Sequence, residues 1–172
     1  HSPTINARPG AGESQKTFIG AITLTAPKSA GALQGATLTG GIVNGRNGAA
    51  PDLSSIYVGA SIPLPVKGLS LGLSYDLAHK DGKGDDKAAY ALYLSYQASK
   101  KLTLALREDW GTHVATVGGV PGKGDLLGST LTADYALWAN VVTRAEFRWD
   151  HIAGGKGGTG FDGQKNDTSV TA

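Results

Sequence analysis

The sequence predicts an all-β chain, an antiparallel up-and-down transmembrane β-barrel with about nine strands present, and three patterns in its 172 residues carry that reading. Apolar residues alternate with small or polar ones through a series of short segments. The connections between those segments are alternately short (Leu64 to Gly68, Ala98 to Lys101, Leu137 to Asn140) and long (Asn44 to Asp52, His79 to Lys87, Gly111 to Asp125, His151 to Asp167). An up-and-down sheet places every second connection at the same end, so one end is trimmed and the other elaborated, as in outer-membrane barrels. Finally, Tyr75, Tyr96, Trp110, Tyr135 and Trp149 fall toward segment ends on the apolar side, where an interfacial girdle belongs.

Taken in order, Phe18, Gly20, Ile22 and Leu24 alternate with Ile19, Ala21, Thr23 and Thr25, and Leu38, Gly40 and Ile42 with Thr37, Thr39 and Gly41. Ile56, Val58, Ala60 and Ile62 oppose Tyr57, Gly59 and Ser61. The clearest segment sets Leu69, Leu71, Leu73, Tyr75 and Leu77 against Ser70, Gly72, Ser74 and Asp76. Successive strand side chains point to opposite faces, so one face here is wholly apolar, whereas helical spacing would mix the two sets. Tyr90, Leu92, Leu94 and Tyr96 repeat the pattern, as do Leu102, Leu104 and Leu106. Leu127, Leu131, Ala133 and Tyr135 then oppose Gly128, Thr130, Thr132 and Asp134, and Ala145, Phe147 and Trp149 oppose Arg144, Glu146 and Arg148. A ninth segment begins near Asp167 and breaks off at Ala172.

Composition narrows the function classes. The length suits one domain over 1–172, with 1–15 as the remnant of a loop and 16–172 as strands with alternating turns and loops. A net charge of +2 with mixed signs supplies no basic stripe for nucleic acid. Cysteine is absent, which excludes disulfides and thiolate metal sites. No apolar run reaches about 18 residues, so a transmembrane helix is unavailable. The mean hydropathy of −0.14 decides nothing, because lipid-facing and lumen-facing residues of a membrane barrel average out.

Alternation alone admits two environments. In a soluble ligand-binding barrel the apolar face points inward; in a membrane barrel it meets lipid and the polar face lines a lumen. Aromatic placement and loop asymmetry favour lipid. The polar positions Asp76, Arg107, Asp109, Asp134, Arg144, Glu146 and Arg148 then become pore-lining, with Asp150 beside them. Charges this dense are costly in an apolar core but ordinary on a wet wall. A third reading is a structural membrane barrel too narrow to conduct.

Single-chain bacterial barrels have even strand numbers. Nine strands, the first descending, therefore predict the C-terminal portion of a larger barrel, with the required signal peptide outside this stretch. Catalytic and metal motifs have little support. His1, His79, His113 and His151 lack paired ligand spacing, and Asp81, Asp85 and Asp86 miss the calcium-loop pattern. The glycine-rich stretches 118–124 and 154–160 lack the phosphate-loop Lys followed by Ser or Thr. No G-x-S-x-G nucleophile exists, so the reading is of a non-enzyme with no cofactor.

Several strings resemble one family, the OmpL-like β-barrel porins: Thr17 to Pro27, Gly35 to Gly45, Ile62 to Ser74, Tyr93 to Leu102 and, most specifically, Ala133 to His151 with its Arg144-Ala145-Glu146-Phe147-Arg148-Trp149-Asp150 core. The resemblance spans nearly the whole chain after its first loop. It implies a bacterial outer-membrane location, the lipid bilayer and small hydrophilic solutes as partners, and passage of those solutes. Homo-oligomer formation is left open by the sequence.

Overall fold

The computed structural model describes residues 17–45, 53–80, 86–117, 120–153, 161 and 164–172. They form nine strands: β1 Phe18–Thr25, β2 Thr37–Gly45, β3 Leu53–Pro63, β4 Leu69–Lys80, β5 Lys87–Gln97, β6 Leu102–Val117, β7 Val120–Trp138, β8 Val141–Ala153 and β9 Asn166–Thr171. All nine lie in one antiparallel sheet in sequence order, each paired with its neighbours. Among the described residues β1 does not pair with β9, so the sheet is open.

Register converts alternation into two continuous faces. Ile22, Gly40, Val58, Tyr75, Tyr90, Trp110, Leu127 and His151 form one row across eight strands, and Ile62, Leu71, Leu94, Leu106, Leu131 and Phe147 another. Both belong to the apolar face. The rows of opposite parity carry most of the serine, threonine and glycine and most of the charges. A one-residue slip would turn every leucine of a strand to the other side, so the leucine pattern itself fixes the pairing.

Burial separates the two environments weighed above. Ile152, 3% exposed, is the one buried apolar side chain among the described residues, while leucines and isoleucines of the apolar face stand open to their surroundings. The sheltered positions Gly59, Gly111, Gly128, Thr130 and Ile152 all lie on the polar face. A water-soluble barrel would show the reverse, leucines packed inside and ionised groups outside.

The trimmed end is built as the sequence predicts at three places. Leu64 to Gly68 closes through a backbone bond from Leu64 to Leu69 O at 3.0 Å, with Gly68 at φ 81°. A Cβ there would approach the Gln97 carbonyl at 3.0 Å, so glycine serves both the left-handed backbone and the contact with the next turn. The link from β5 to β6 is held by Ser99, whose Oγ accepts from the backbone of Lys101 and Leu102. β7 and β8 meet through Ala139 and Asn140, the latter at φ 67°, which asparagine tolerates.

Two expectations need correction. Gly111 to Asp125 is not a long loop: β6 and β7 continue to Val117 and Val120 as an extended hairpin, so that end is elaborated by strand and not by coil. Glycines in this stretch hide a usable β pattern. A register shift after Gly111 marks the irregularity, with His113 at φ 57° and its backbone N–H donating to Asp125 at 3.0 Å. Conversely, the trimmed end carries an eleven-residue connection over 26–36, containing a 3-10 segment Lys28–Leu33 and closed by the Ala26 N–H on Ala36 O at 2.8 Å. Residues 1–15, Asp81, Asp85, Gly118, Gly119 and 154–160 lie outside the described residues.

Candidate functional site

Strand parity gathers the charged positions on one region of the polar face. Arg107 of β6, Thr130 of β7 and Arg148 of β8 share a row; Asp109, Gly128, Asp150 and Asp167 form the next, toward the loop end. Arginine and aspartate two residues apart on one strand point the same way, so each arginine reaches its own aspartate. Arg107 Nε donates to Asp109 Oδ1 at 2.8 Å, and Arg148 grips Asp150 with two bonds of 2.7 Å. Arg148 Nη1 also lies 3.4 Å from Thr130 Oγ1 and 3.8 Å from Asp109 Oδ2, linking the two pairs across β7.

Gly128 makes this crossing fit. A Cβ at that position would stand 2.9 Å from both Arg148 Nη2 and Asp150 Oδ1, so the missing side chain is the space the pair occupies. Tyr93 of β5 completes the row: its ring covers Gly72 on one side, and the Arg107 guanidinium lies 5.5 Å from its centroid on the other. Closer to the trimmed end, Arg144 donates to both oxygens of Asp134 at 2.7 and 2.9 Å, and Glu146 accepts from Thr132 at 3.1 Å.

Of the seven predicted wall residues, six therefore stand on β6, β7 and β8. Asp76, on β4, has the same face but is two strands removed; it borders a recess of about 440 Å³ with Tyr57 and Lys87. Between Asp76 and β1 the face is uncharged, mixing threonine, serine and glycine with Ile19, Val43, Leu53 and Tyr57, and Thr23 and Thr39 share a 3.0 Å bond. One side of the wall is charged and the other is neutral. Partly exposed ion pairs contribute only about 0–1 kcal/mol to stability, so the fold depends little on this arrangement.

The five residues predicted as a girdle all fall on the opposite, apolar face. Tyr75 lies 5.0 Å from Tyr90 in the row that continues to Trp110, and Trp149 stacks on His151 at 5.5 Å. Tyr96 and Tyr135 mark the trimmed end, where Lys101 Nζ lies 5.9 Å from the Tyr135 ring and donates to Leu137 O at 3.2 Å. Six residue steps along β5 separate Tyr90 from Tyr96, about 20 Å of strand, the scale of an apolar band between two aromatic belts. Sequence reasoning missed Tyr93 and Thr130 as members of the charged region, and Tyr90 as the partner of Tyr75 on the apolar face. Tyr93 and Tyr90 differ only in parity, which was already legible.

An open antiparallel sheet with one apolar face bearing aromatic residues toward its ends and one charged, glycine-relieved face is the architecture of a membrane β-barrel wall. The family model described as "Putative beta-barrel porin-2, OmpL-like" matches residues 6–172, and the chain belongs to that family. Comparisons with curated proteins and with solved structures returned no match.

Proposed function

We propose that the chain forms the wall of an outer-membrane channel for passive diffusion of small hydrophilic solutes. The observation that carries the reading is the opposition of faces: leucines exposed on one side, and Arg107, Asp109, Asp134, Arg144, Glu146, Arg148 and Asp76 gathered on the other. Lipid satisfies the first face and a hydrated lumen the second. The wall residues act by charge, because fixed groups along a wet bore filter ions and orient polar solutes. No chemical step is required of them, which fits a family of porins.

Reconstitution into a planar bilayer tests this. Discrete, voltage-independent conductance steps that scale with salt concentration are expected. A folded, inserted protein that leaves the bilayer electrically silent would favour the structural, non-conducting barrel instead.

A further inference from the structure

The apolar face holds one carboxylate within its aromatic belts. Glu108 of β6 is in register with Leu92 and with Ser129, whose Oγ donates to its Oε2 at 2.5 Å. Beside it opens a trough of about 560 Å³ on the same face, floored by Val58 and Ala60 and walled by Leu73, Leu92, Tyr90 and Trp110. The trough exists because Ala60 pairs with leucines on both sides, Leu38 and Leu73, leaving a missing side chain's depth between them.

We propose that this trough binds a single membrane lipid whose headgroup carries a primary ammonium, with an acyl chain along Ala60 and the ammonium on Glu108. The inference rests on the apolar face meeting lipid and is independent of conduction. Between the aromatic belts that face carries no lysine or arginine among the described strand residues, so the countercharge comes from outside the chain. A second copy offering the same face brings none either. A primary ammonium donates charge-assisted hydrogen bonds to a carboxylate, which a quaternary ammonium cannot do, and the Tyr90 and Trp110 rings attract the same cation. Depth agrees: Glu108 lies one side-chain step, about 7 Å of strand, from Trp110 and its belt. A carboxylate so near the interface costs the barrel little, so the fold tolerates it.

The test is tryptophan quenching in phosphatidylcholine vesicles where the brominated chains sit either on phosphatidylethanolamine or on phosphatidylcholine. Trp110 and Trp149 flank the site, and Trp138 at the trimmed end gives the background. The unaltered chain is expected to favour phosphatidylethanolamine at least about threefold. Glu108→Gln should bring the ratio to about one, with Ser129→Ala between. A ratio of one in the unaltered chain overturns the proposal, as does a Glu108→Gln protein that keeps the preference. If the unaltered chain shows no preference and Glu108→Gln changes the mass of the detergent complex, the trough is a contact between copies and the lipid site is wrong. Should Glu108→Gln not fold, the ratio of the unaltered chain and Ser129→Ala still decide. A chain that prefers phosphatidylethanolamine but does not conduct sinks the channel and leaves the lipid site standing.

Discussion

Replacing Arg144 and Arg148 together by glutamine is expected to raise cation-over-anion permeability severalfold in single-channel recordings. The polar face of the described strands carries six carboxylates (Asp76, Asp109, Asp134, Glu146, Asp150, Asp167) against five cations (Lys80, Lys87, Arg107, Arg144, Arg148), a net of minus one. Removing two positive charges makes it minus three, and the potential of the bore deepens accordingly. Two carboxylates also lose their tethers: Asp134 loses both its bonds from Arg144, and Asp150 both of its bonds from Arg148. The shift should shrink as salt rises, since the screening length falls to about 3 Å at 1 M. Unchanged selectivity would mean that the arginines form a structural ladder between strands and do not filter ions.

The largest effect on stability is expected from Leu94→Arg. Leu94 lies on β5 between the aromatic belts, in register with Leu71 and Leu106 on the apolar face. A guanidinium there enters hydrocarbon, at a cost of about 2–4 kcal/mol near the membrane midplane. Its neighbour Ser95 points to the polar face, between Ser70 and Ala105, whose small side chains leave room. Ser95→Arg should change stability by less than about 0.5 kcal/mol. Denaturant titration of the protein folded in lipid vesicles reads both. Similar losses from the two substitutions would mean that the faces are not in different solvents.

Most of this architecture was legible because leucine spacing in β4 and β5 is strict, and parity alone assigns each residue a side. The charged cluster followed from the same parity: Arg144, Glu146 and Arg148 are two apart and share one face. What was not legible depended on pairing between strands. Gly128 reads as an ordinary strand glycine until the Arg148–Asp150 pair is seen to cross above it. Glu108 sits inside the triplet Arg107-Glu108-Asp109, which as a string looks like one charged patch; the ladder splits it between two environments. The hairpin beyond Gly111 was obscured because glycines at 111, 118, 119, 122 and 124 signal loop more strongly than the intervening Val and Thr signal strand. The 3-10 connection at the trimmed end has no signature beyond Pro27 and two glycines.

Since the chain contains no cysteine, single cysteines placed in turn at Leu92, Tyr93, Leu94, Ser95 and Tyr96 can report on one strand without background. The protein in vesicles is exposed to a membrane-impermeant, water-soluble thiol reagent through its open ends. Labelling at 93 and 95, with 92, 94 and 96 protected, is the expected result. Labelling at the leucine positions with protection at 93 and 95 would contradict a lipid-facing leucine surface.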